Sequence, residues 1–238
     1  MEISVAASTL GQRSSLTKYS WPKPSIIGQN MILGQPFLSV TPSLDGDVLT
    51  RLAHATDWLT VAQLHALLPE RSDEGIRNTL TRLTRHGLVR EKPIGRSRLF
   101  SLNRDHLLAS AVVDIASAKK QFLGRLAQNC LSWGTPPLFG ALFGSAARGE
   151  MVLESDIDIF FTQPANTDED SFSEQVSLLC VEASRWTGND VRPLVMAEEL
   201  VVGGGDTEPV LIDIDTEGIF FAGEKQVFSS LIGSQWGR

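Results

Sequence analysis

The chain has 238 residues, a net charge of −7 and 42% hydrophobic residues, so it can build one large core or two modest ones. It has no run of eighteen apolar residues, and its N-terminus has an acidic second residue and no basic stretch, so we expect no membrane-spanning helix and no signal peptide. Two cysteines, and four histidines without metal-ligand spacing, argue against a disulfide framework and a zinc site and favour a cytoplasmic location.

Opposite charges are concentrated in two parts of the chain. Residues 75–104 contain eight basic residues and one acid, a net charge of +7. Residues 150–224 contain eighteen acids and two arginines, a net charge of −16. This asymmetry predicts two domains with different partners, because the basic segment attracts nucleic acid and the acidic segment repels it.

The N-terminal residues 1–43 are rich in Ser, Gly, Pro and Gln and lack helical periodicity. We therefore predict a flexible tail for this segment. The stretch PFLSV near its end predicts a short strand.

Residues 44–103 predict three helices followed by a β-hairpin. The second helix begins at Thr60 as a cap and ends before Pro69, and the third begins at Ser72 and ends at Gly87. The apolar positions that share a helical face are Leu44, Val48, Leu49 and Leu52 in the first helix and Ile76, Leu80 and Leu83 in the third. The following segment, LVREKPIGRSRLFSL, alternates around a Pro-Ile-Gly tip, as a hairpin does.

This order of helix, helix, basic helix and basic hairpin is typical of a winged helix–turn–helix. There the third helix enters the major groove of double-stranded DNA and the hairpin contacts phosphate. The predicted DNA-binding residues are Arg77, Arg82, Arg85, Arg96 and Arg98. The alternative is that the arginine-rich face of the helix is only solvated. The basic hairpin beside it favours DNA binding, with affinity from counterion release.

The second half of the chain has a different pattern. Residues 104–133 predict a long linker helix, with Asp105 as its cap and GTPP after its end. Residues 134–224 then alternate apolar strands with helices, which predicts a small mixed sheet covered by helices. The stretches NDVRPLVMA and VLIDIDTEGIFFAG predict the later strand segments of this sheet, and residues 225–238 are left as a C-terminal segment. The predicted fold class is α+β.

The stretch LFGSAARGEMVLESDIDIFF contains the candidate chemistry. Asp156 and Asp158 alternate with isoleucines on a predicted strand, so they lie on one face, about 6–7 Å apart. Two such carboxylates can hold divalent cations, Mg²⁺ or Mn²⁺, that bridge to a polyphosphate and remove the repulsion between the acids. Two metal ions would activate an acceptor hydroxyl and stabilise the leaving pyrophosphate in an in-line displacement at the α-phosphate. Gly144 and Ser145 end the preceding strand and offer N–H and hydroxyl donors to a phosphate, and Arg148 can neutralise its charge.

These residues resemble the signature of the DNA polymerase β-like nucleotidyltransferase superfamily, and most of all its minimal nucleotidyltransferase group. The signature residues are Gly144, Ser145, Arg148, Gly149, Ser155, Asp156 and Asp158. With the preceding segment, the chain resembles bacterial proteins that fuse a winged helix to such a domain, over residues 44–224. The resemblance implies a nucleotidyltransferase-like domain in which Asp156 and Asp158 are catalytic and bind metal. It also implies nucleotide binding by Gly144, Ser145, Arg148 and Ser155.

One feature of the superfamily is missing from the sequence. Members that are active usually add a third carboxylate from a later strand, and the corresponding position here falls near Arg192 or Pro193, which do not bind metals. Asp190, or Glu198 and Glu199, are alternatives that could take its place. Without a third carboxylate, nucleotide and metal binding remain feasible, and turnover is in question.

A second Asp-x-Asp occurs at Asp213 and Asp215. No Gly-Ser-x-x-Arg-Gly turn precedes it. We therefore interpret these acids as solvent-facing residues at the end of a helix or strand.

Two functions follow from the sequence. The first is a Mg²⁺-dependent enzyme that moves NMP from an NTP, with ATP expected, to a hydroxyl of a small molecule, a protein or an RNA end. The resemblance also implies a partner protein as acceptor, as in antitoxins that modify a toxin. The alternative is a transcriptional regulator whose nucleotidyltransferase-like domain is a nucleotide sensor or dimerisation module, which the missing carboxylate favours. The expected partners are a nucleoside triphosphate, double-stranded DNA and a second copy or partner protein, with no membrane.

Overall fold

A computed structural model describes residues 30–233, so residues 1–29 of the predicted tail and the last five residues lie outside the described part. Three helices and a three-stranded antiparallel sheet come first. They are α1 (Leu44–His54), β1 (Leu59–Thr60), α2 (Val61–Leu67), α3 (Asp73–Arg85), β2 (Val89–Ile94) and β3 (Ser97–Leu102). The strand order is β1-β3-β2, so the predicted hairpin gains a third strand from the residues just before α2.

The helix starts are capped by the predicted side chains. Thr60 and Gln63 form a capping box at the start of α2. The Ser72 hydroxyl accepts a hydrogen bond of 3.1 Å from the Gly75 N–H at the start of α3. The predicted apolar positions Val48, Leu49, Leu52, Ile76, Leu80 and Leu83 are all buried in one core, and Leu44 packs against it. These contacts confirm the helices predicted for this part of the chain.

Residues 31–37 form an ordered strap against the rest of the protein, which corrects the flexible tail predicted for this segment. The Met31 N–H donates hydrogen bonds of 3.1 Å to the Thr187 carbonyl and to Asn189 Oδ1. Leu33 is only 2% exposed and packs in the core of the second half. The segment is ordered because its apolar side chains fill cores formed by residues far away in sequence.

The predicted strand at PFLSV is instead a 3-10 helix, Pro36–Ser39. The fixed φ of Pro36 suits the first position of a helix. Phe37 packs in the core of the first half, and a Cβ on Gly46 would come within 2.5 Å of the Phe37 Cβ. Tertiary packing of Phe37 against α1 therefore overrides the local pattern.

The predicted linker helix is interrupted. It consists of α4 (Ala109–Ala116) and α5 (Ala118–Leu131). The break falls at Ser117, and α4 begins after Asp105, whose carboxylate instead accepts a hydrogen bond of 2.5 Å from Arg90. Val112 of α4 packs in the first core and Leu126 of α5 packs in the second. The break lets one segment contribute to two cores.

The second half is built on a four-stranded mixed sheet with the order β6-β5-β4-β7. Its elements are β4 (Phe139–Phe143), α6 (Gly144–Arg148), β5 (Ile157–Gln163), α7 (Glu169–Thr187), β6 (Val191–Ala197), α8 (Glu198–Val201), α9 (Pro209–Glu217), β7 (Ile219–Ala222) and α10 (Lys225–Leu231). Strand β4 is antiparallel to β5 and β7, whereas β5 and β6 are parallel. The predicted α+β class and mixed sheet are confirmed.

Each face of this sheet is covered by its own hydrophobic core. Ile159 and Phe161 of β5 belong to the core that contains residues of α5 and α7. Phe160 of the same strand belongs to the other core, with Ile214 of α9 and Phe228 of α10. Strand β5 is therefore buried on both faces over most of its length.

The region after β6 contains a helix where strand was predicted. Pro209 occupies the first turn of α9, and Leu211 and Ile214, three residues apart, are buried while Asp213 is exposed. The alternation of apolar residues and acids in VLIDID imitates a strand, but the buried positions have helical spacing. Phe228 places the predicted C-terminal segment in the core. None of the helices in residues 30–233 is long and apolar enough to cross a membrane.

Candidate nucleotide site and candidate DNA interface

The sheet topology brings the predicted site residues to one end of the second sheet. Strand β4 ends at Phe143, β5 begins just after Asp156, and β6 begins just after Asp190. These three points meet because β5 runs antiparallel to β4 and parallel to β6. In the register of the sheet, Asp158 lies between Phe143 and Arg192.

Asp156 and Asp158 alternate with buried isoleucines, as predicted. Ile157 and Ile159 are fully buried, whereas both carboxylates are partly accessible to solvent. The strand itself begins at Ile157, so Asp156 is the last residue before it. Burial, together with the negative charge of Asp156, raises the pKa of Asp158, and the positive charge of Arg192 opposes that rise. Asp158 is thus a carboxylate that a bound cation would stabilise.

Arg192 is one of the two residues, with Pro193, near which the resemblance calls for a third carboxylate. Its Nη1 is 2.5 Å from Asp156 Oδ2, and its Nε is 3.1 Å from Asp190 Oδ2. The protein therefore places a fixed positive charge on the first aspartate of the predicted metal-binding pair. The sequence shows that Arg192 cannot bind a metal ion. It does not predict the ion pair with Asp156, because that contact depends on the register of two strands that are far apart in sequence.

Gly144 and Asp158 are in close contact. Gly144 has a φ of +68°, in the left-handed region that favours glycine, and a Cβ on it would lie 2.9 Å from Asp158 Oδ2. Ser145 follows in α6, a five-residue helix at the place where a turn was predicted. Only glycine fits at this junction of strand and helix without displacing the carboxylate.

Arg148 and Ser155 are engaged within the protein. Arg148 Nε lies 2.6 Å from Glu150 Oε2, and Nη1 lies 2.6 Å from Glu217 Oε1. The hydrogen bonds with Glu217 and Glu150 raise the pKa of Arg148. The Ser155 hydroxyl accepts a hydrogen bond of 2.9 Å from the Val152 N–H. Nucleotide binding by Arg148 and Ser155 stays a prediction, and Arg148 would have to exchange a carboxylate for a phosphate.

No third carboxylate completes the site. Among residues 30–233, no three or more His, Cys, Asp or Glu side chains come together as a group that could hold a metal ion. Glu198, with Glu199 beside it, follows the far end of the seven-residue β6, about 20 Å from its start, and accepts a hydrogen bond of 2.8 Å from the Ala165 N–H. Asp190 is at the correct end, but its carboxylate is bonded to Arg192. Glu198 and Glu199 are therefore not placed to act with the two aspartates, whereas Asp190 lies at the site and is paired with Arg192.

Lys119 of α5 supports the candidate site and was not predicted. Its Nζ donates hydrogen bonds of 2.7 Å to the Ala146 carbonyl and 3.2 Å to the Ala147 carbonyl, both in α6. Burial lowers the pKa of Lys119. The signal in the sequence is its spacing: Lys119 is three and seven residues before Phe122 and Leu126, so it continues the buried stripe of α5. A lysine in such a stripe indicates a partner inside the protein.

Three of the five predicted DNA-binding arginines line one cleft. Arg77 of α3 and Arg96 and Arg98 of the β2–β3 hairpin surround a cleft of about 600 Å³. The Arg77 and Arg98 side chains are 63% and 67% exposed. Their nearest acids are Asp73, 3.9 Å from Arg77, and Glu91, 3.1 Å from Arg98. The arginines of this cleft are accessible to an anionic partner.

Arg82 and Arg85 do not line this cleft. Arg82 follows Arg77 by five residues, a rotation of about 140° around α3, and forms an ion pair with Asp45 of α1. Arg85 is exposed, about 12 Å further along the helix than Arg77. Three of the predicted arginines therefore line the cleft, and the other two lie outside it.

Comparison with known proteins bears on the second half of the chain. Residues 131–197 match the family model of a nucleotidyltransferase domain. The matched segment contains β4, α6, β5, α7 and β6, and hence Gly144, both aspartates and Arg192. This match supports the nucleotidyltransferase-like domain predicted from the sequence, over residues 131–197. No curated protein matches the chain.

Solved structures with partial similarity contain toxin–antitoxin complexes. One is a toxin–antitoxin with AMP-PNP, which is 17% identical, with 47% of this chain and 81% of the other covered and a TM-score of 0.35. Another is the tri-AMPylated Shewanella oneidensis HEPN toxin in complex with MNT antitoxin, which is 15% identical, with 48% and 79% covered and a TM-score of 0.32. At these TM-scores the similarity supports no conclusion about function.

Proposed function

We propose that this chain binds a nucleoside triphosphate and a divalent metal ion at the sheet end that holds Asp156 and Asp158, and transfers NMP to a hydroxyl acceptor. ATP is the expected nucleotide, and Mg²⁺ or Mn²⁺ the expected ion. The observation that carries the proposal is the contact of Gly144 with Asp158. The backbone of Gly144, which has no side chain, lies directly against a partly buried carboxylate. This contact lies inside the segment that matches a nucleotidyltransferase domain.

The residues at this sheet end fit a divalent cation. Asp158 is half-buried beside the charge of Asp156, and carboxylate oxygens are ligands that Mg²⁺ prefers. A bound ion would supply charge neutralisation for the polyphosphate and its leaving group. Because Gly144 has no Cβ, its backbone N–H could approach a phosphate beside Asp158, and Ser145 adds a hydroxyl donor at the start of α6.

The reaction is an in-line displacement at the α-phosphorus. The oxygen of the acceptor hydroxyl forms a bond to phosphorus while the bond from phosphorus to the bridging oxygen of the β-phosphate breaks. Pyrophosphate leaves with that electron pair, and the hydroxyl proton passes to solvent. Ser145 and the backbone of Gly144 would orient the phosphates for this attack, and Arg148 could join them by leaving Glu217.

Calorimetric titration with ATP and Mg²⁺ tests the binding step. We expect Asp158→Ala to weaken nucleotide binding at least ~10-fold, because it removes a carboxylate from the ion. Asp156→Ala should weaken binding as well, because it leaves the positive charge of Arg192 unpaired beside the ion. Asp213→Ala, an exposed acid on α9, is the matched control and should bind as the wild type does. Incubation with α-labelled ATP, Mg²⁺ and a cell lysate then tests transfer. Binding and labelling that persist in both aspartate variants would show that the site lies elsewhere.

A second function is favoured by Arg192. This arginine stands near the place where a third carboxylate is expected, and it forms an ion pair with Asp156. In this alternative the chain is a regulator that binds nucleotide without turnover. Pyrophosphate release distinguishes the two functions. Release identifies the enzyme, whereas no release together with an ATP-dependent change in DNA affinity identifies the regulator.

We further propose that residues 44–103 are a winged helix that binds double-stranded DNA through Arg77, Arg96 and Arg98. The three helices, the antiparallel sheet and the cleft between α3 and the hairpin support this proposal. Cationic side chains from two elements along one cleft suit a phosphate backbone, which is charged along its whole length.

Fluorescence anisotropy with a DNA duplex at several salt concentrations tests the DNA interface. Each of Arg77→Ala, Arg96→Ala and Arg98→Ala should weaken binding and lower the slope of log affinity against log salt by ~0.9, the value for one lost phosphate contact. Arg185→Ala, an exposed arginine of α7, is the control. Arg82→Ala should have a smaller effect, because Arg82 lies outside the cleft and pairs with Asp45. Equal slopes for the cleft variants and the control would contradict the interface.

A further inference from the structure

Arg192 and Asp156 form a close ion pair. The Arg192 Nη1 lies 2.5 Å from Asp156 Oδ2. Arginine stays protonated at any physiological pH, so this charge is permanent. Asp156 therefore already has a cationic partner inside the protein.

The Arg192 side chain is held at two points. Its Nε is 3.1 Å from Asp190 Oδ2, two residues earlier in the chain, while Nη1 reaches across to Asp156 on the neighbouring strand segment. Two contacts from one planar guanidinium, a hydrogen bond with Asp190 and an ion pair with Asp156, fix its orientation better than a single contact does. The positive charge is thus positioned on Asp156 and leaves Asp158 without a direct ion pair among the described residues.

One divalent cation would balance the charges of the three aspartates and Arg192 at this sheet end. Asp156, Asp158 and Asp190 with Arg192 carry a net charge of −2. Arg148, the other arginine near Asp158, is already paired with two glutamates. A second divalent ion would have to displace a guanidinium that is bonded to the carboxylate it needs.

We infer that Arg192 replaces one of the two metal ions of the resembling nucleotidyltransferases, so that this chain binds a single divalent cation, at Asp158. The inference rests on the proposed nucleotide site and specifies its metal content. Arg192 then acts as a positioning residue that neutralises Asp156 from within the protein. The expected stoichiometry is one ion per chain, with or without nucleotide.

Counting bound Mn²⁺ by electron paramagnetic resonance tests the inference without any measurement of activity. The wild type with a non-hydrolysable ATP analogue should bind one Mn²⁺ per chain. Arg192→Asp should bind two, because it frees Asp156 and adds a third carboxylate. Arg192→Lys, which keeps the positive charge, and Arg185→Asp, a charge reversal on exposed α7, should each remain at one. Two ions in the wild type, or one in Arg192→Asp, would overturn the inference.

A second measurement separates this inference from the proposed function. Mn²⁺ titrated without nucleotide should bind at least ~10-fold more tightly to Arg192→Gln than to the wild type, because the competing charge is gone. Arg192→Gln adds no carboxylate and also serves if Arg192→Asp does not fold. A wild type that binds Mn²⁺ but no nucleotide would contradict the proposed function alone. Equal Mn²⁺ affinities in the wild type and Arg192→Gln would contradict the role of Arg192.

Discussion

Leu33 and Phe37 are four residues apart in the chain, yet they are buried in two different hydrophobic cores. Leu33 packs with residues of α5 and α7, whereas Phe37 packs with residues of α1, α2 and α3. Between them, a Cβ on Gly34 would lie 4.0 Å from the Gly149 Cα at the end of α6. The strap therefore joins both halves of the protein beside the candidate nucleotide site.

We expect the strap to contribute strongly to stability. Leu33→Ala should lower the free energy of unfolding by about 2–5 kcal/mol and Phe37→Ala by about 3–5 kcal/mol, because each leaves a cavity in a core. Leu38→Ala is the neighbouring control: Leu38 is 37% exposed, so the change should be within about 0.5 kcal/mol. Urea unfolding measures all three. Three equally stable variants would show that the strap is not anchored in the cores.

Two glycines with the same backbone strain but different surroundings test the contact with Asp158. Gly144→Ala and Gly149→Ala both place a side chain at positive φ, which costs ~1–2 kcal/mol. Only the Gly144 variant meets Asp158 Oδ2, since nothing lies within 4 Å of a Cβ at Gly149. Both variants should be less stable than the wild type in thermal unfolding. Calorimetry should find nucleotide affinity reduced in Gly144→Ala only, and an equal loss in both would mean that the contact is irrelevant to binding.

Asp158 should make stability fall as pH rises. Its pKa in the folded protein is raised by burial and by Asp156, above the unfolded value of about 3.9. Between these two pKa values the folded state binds more protons than the unfolded state, so its stability decreases as pH increases through that window. In metal-free buffer, Asp158→Asn should lack this decrease and become more stable relative to the wild type as pH rises. Denaturant titrations across the window measure the difference, with exposed Asp213→Asn as the control.

Lys119 should be needed to hold α6, the short helix after β4, in its position. Lys119→Met keeps the length of the side chain but removes the donor to the Ala146 and Ala147 carbonyls, so we expect a loss of ~1–3 kcal/mol in the free energy of unfolding. Nucleotide affinity should fall as well, because α6 loses its support. Lys120→Met changes an exposed neighbour and should alter neither quantity. If the two variants have the same free energy of unfolding and the same nucleotide affinity, the contact of Lys119 with α6 contributes to neither stability nor binding.

The sequence predicts those elements whose signals are local. Helix α3 has a serine cap, an apolar stripe and a terminal glycine, and the structure contains all three features. The strap and α9 were missed because their order depends on distant contacts. Phe37 is helical because it packs against Gly46, and the acids of α9 alternate with apolar residues as they would in a strand. The break at Ser117 has no breaker residue, and it reflects the need to reach two cores.

The sequence predicts the residues of the candidate site, but it does not predict the ion pairs that they form within the protein. Gly144, Asp156 and Asp158 follow from spacing along the chain, since a turn and a strand are short-range features. The partners of Arg148 and Arg192 do not, because Glu217 is 69 residues from Arg148, and Asp156 is on a different strand segment from Arg192. Strand register decides which side chains meet, and a single sequence does not reveal it.

The burial of β5 on both faces limits how this protein can vary in length. A one-residue insertion or deletion within the strand would exchange the two faces and send Asp158 into the position of Ile159, inside the core. The exposed loop of residues 152–154, just before the first aspartate, is under no such constraint. Length differences among natural variants should therefore accumulate in that loop, while the strand keeps an invariant residue count.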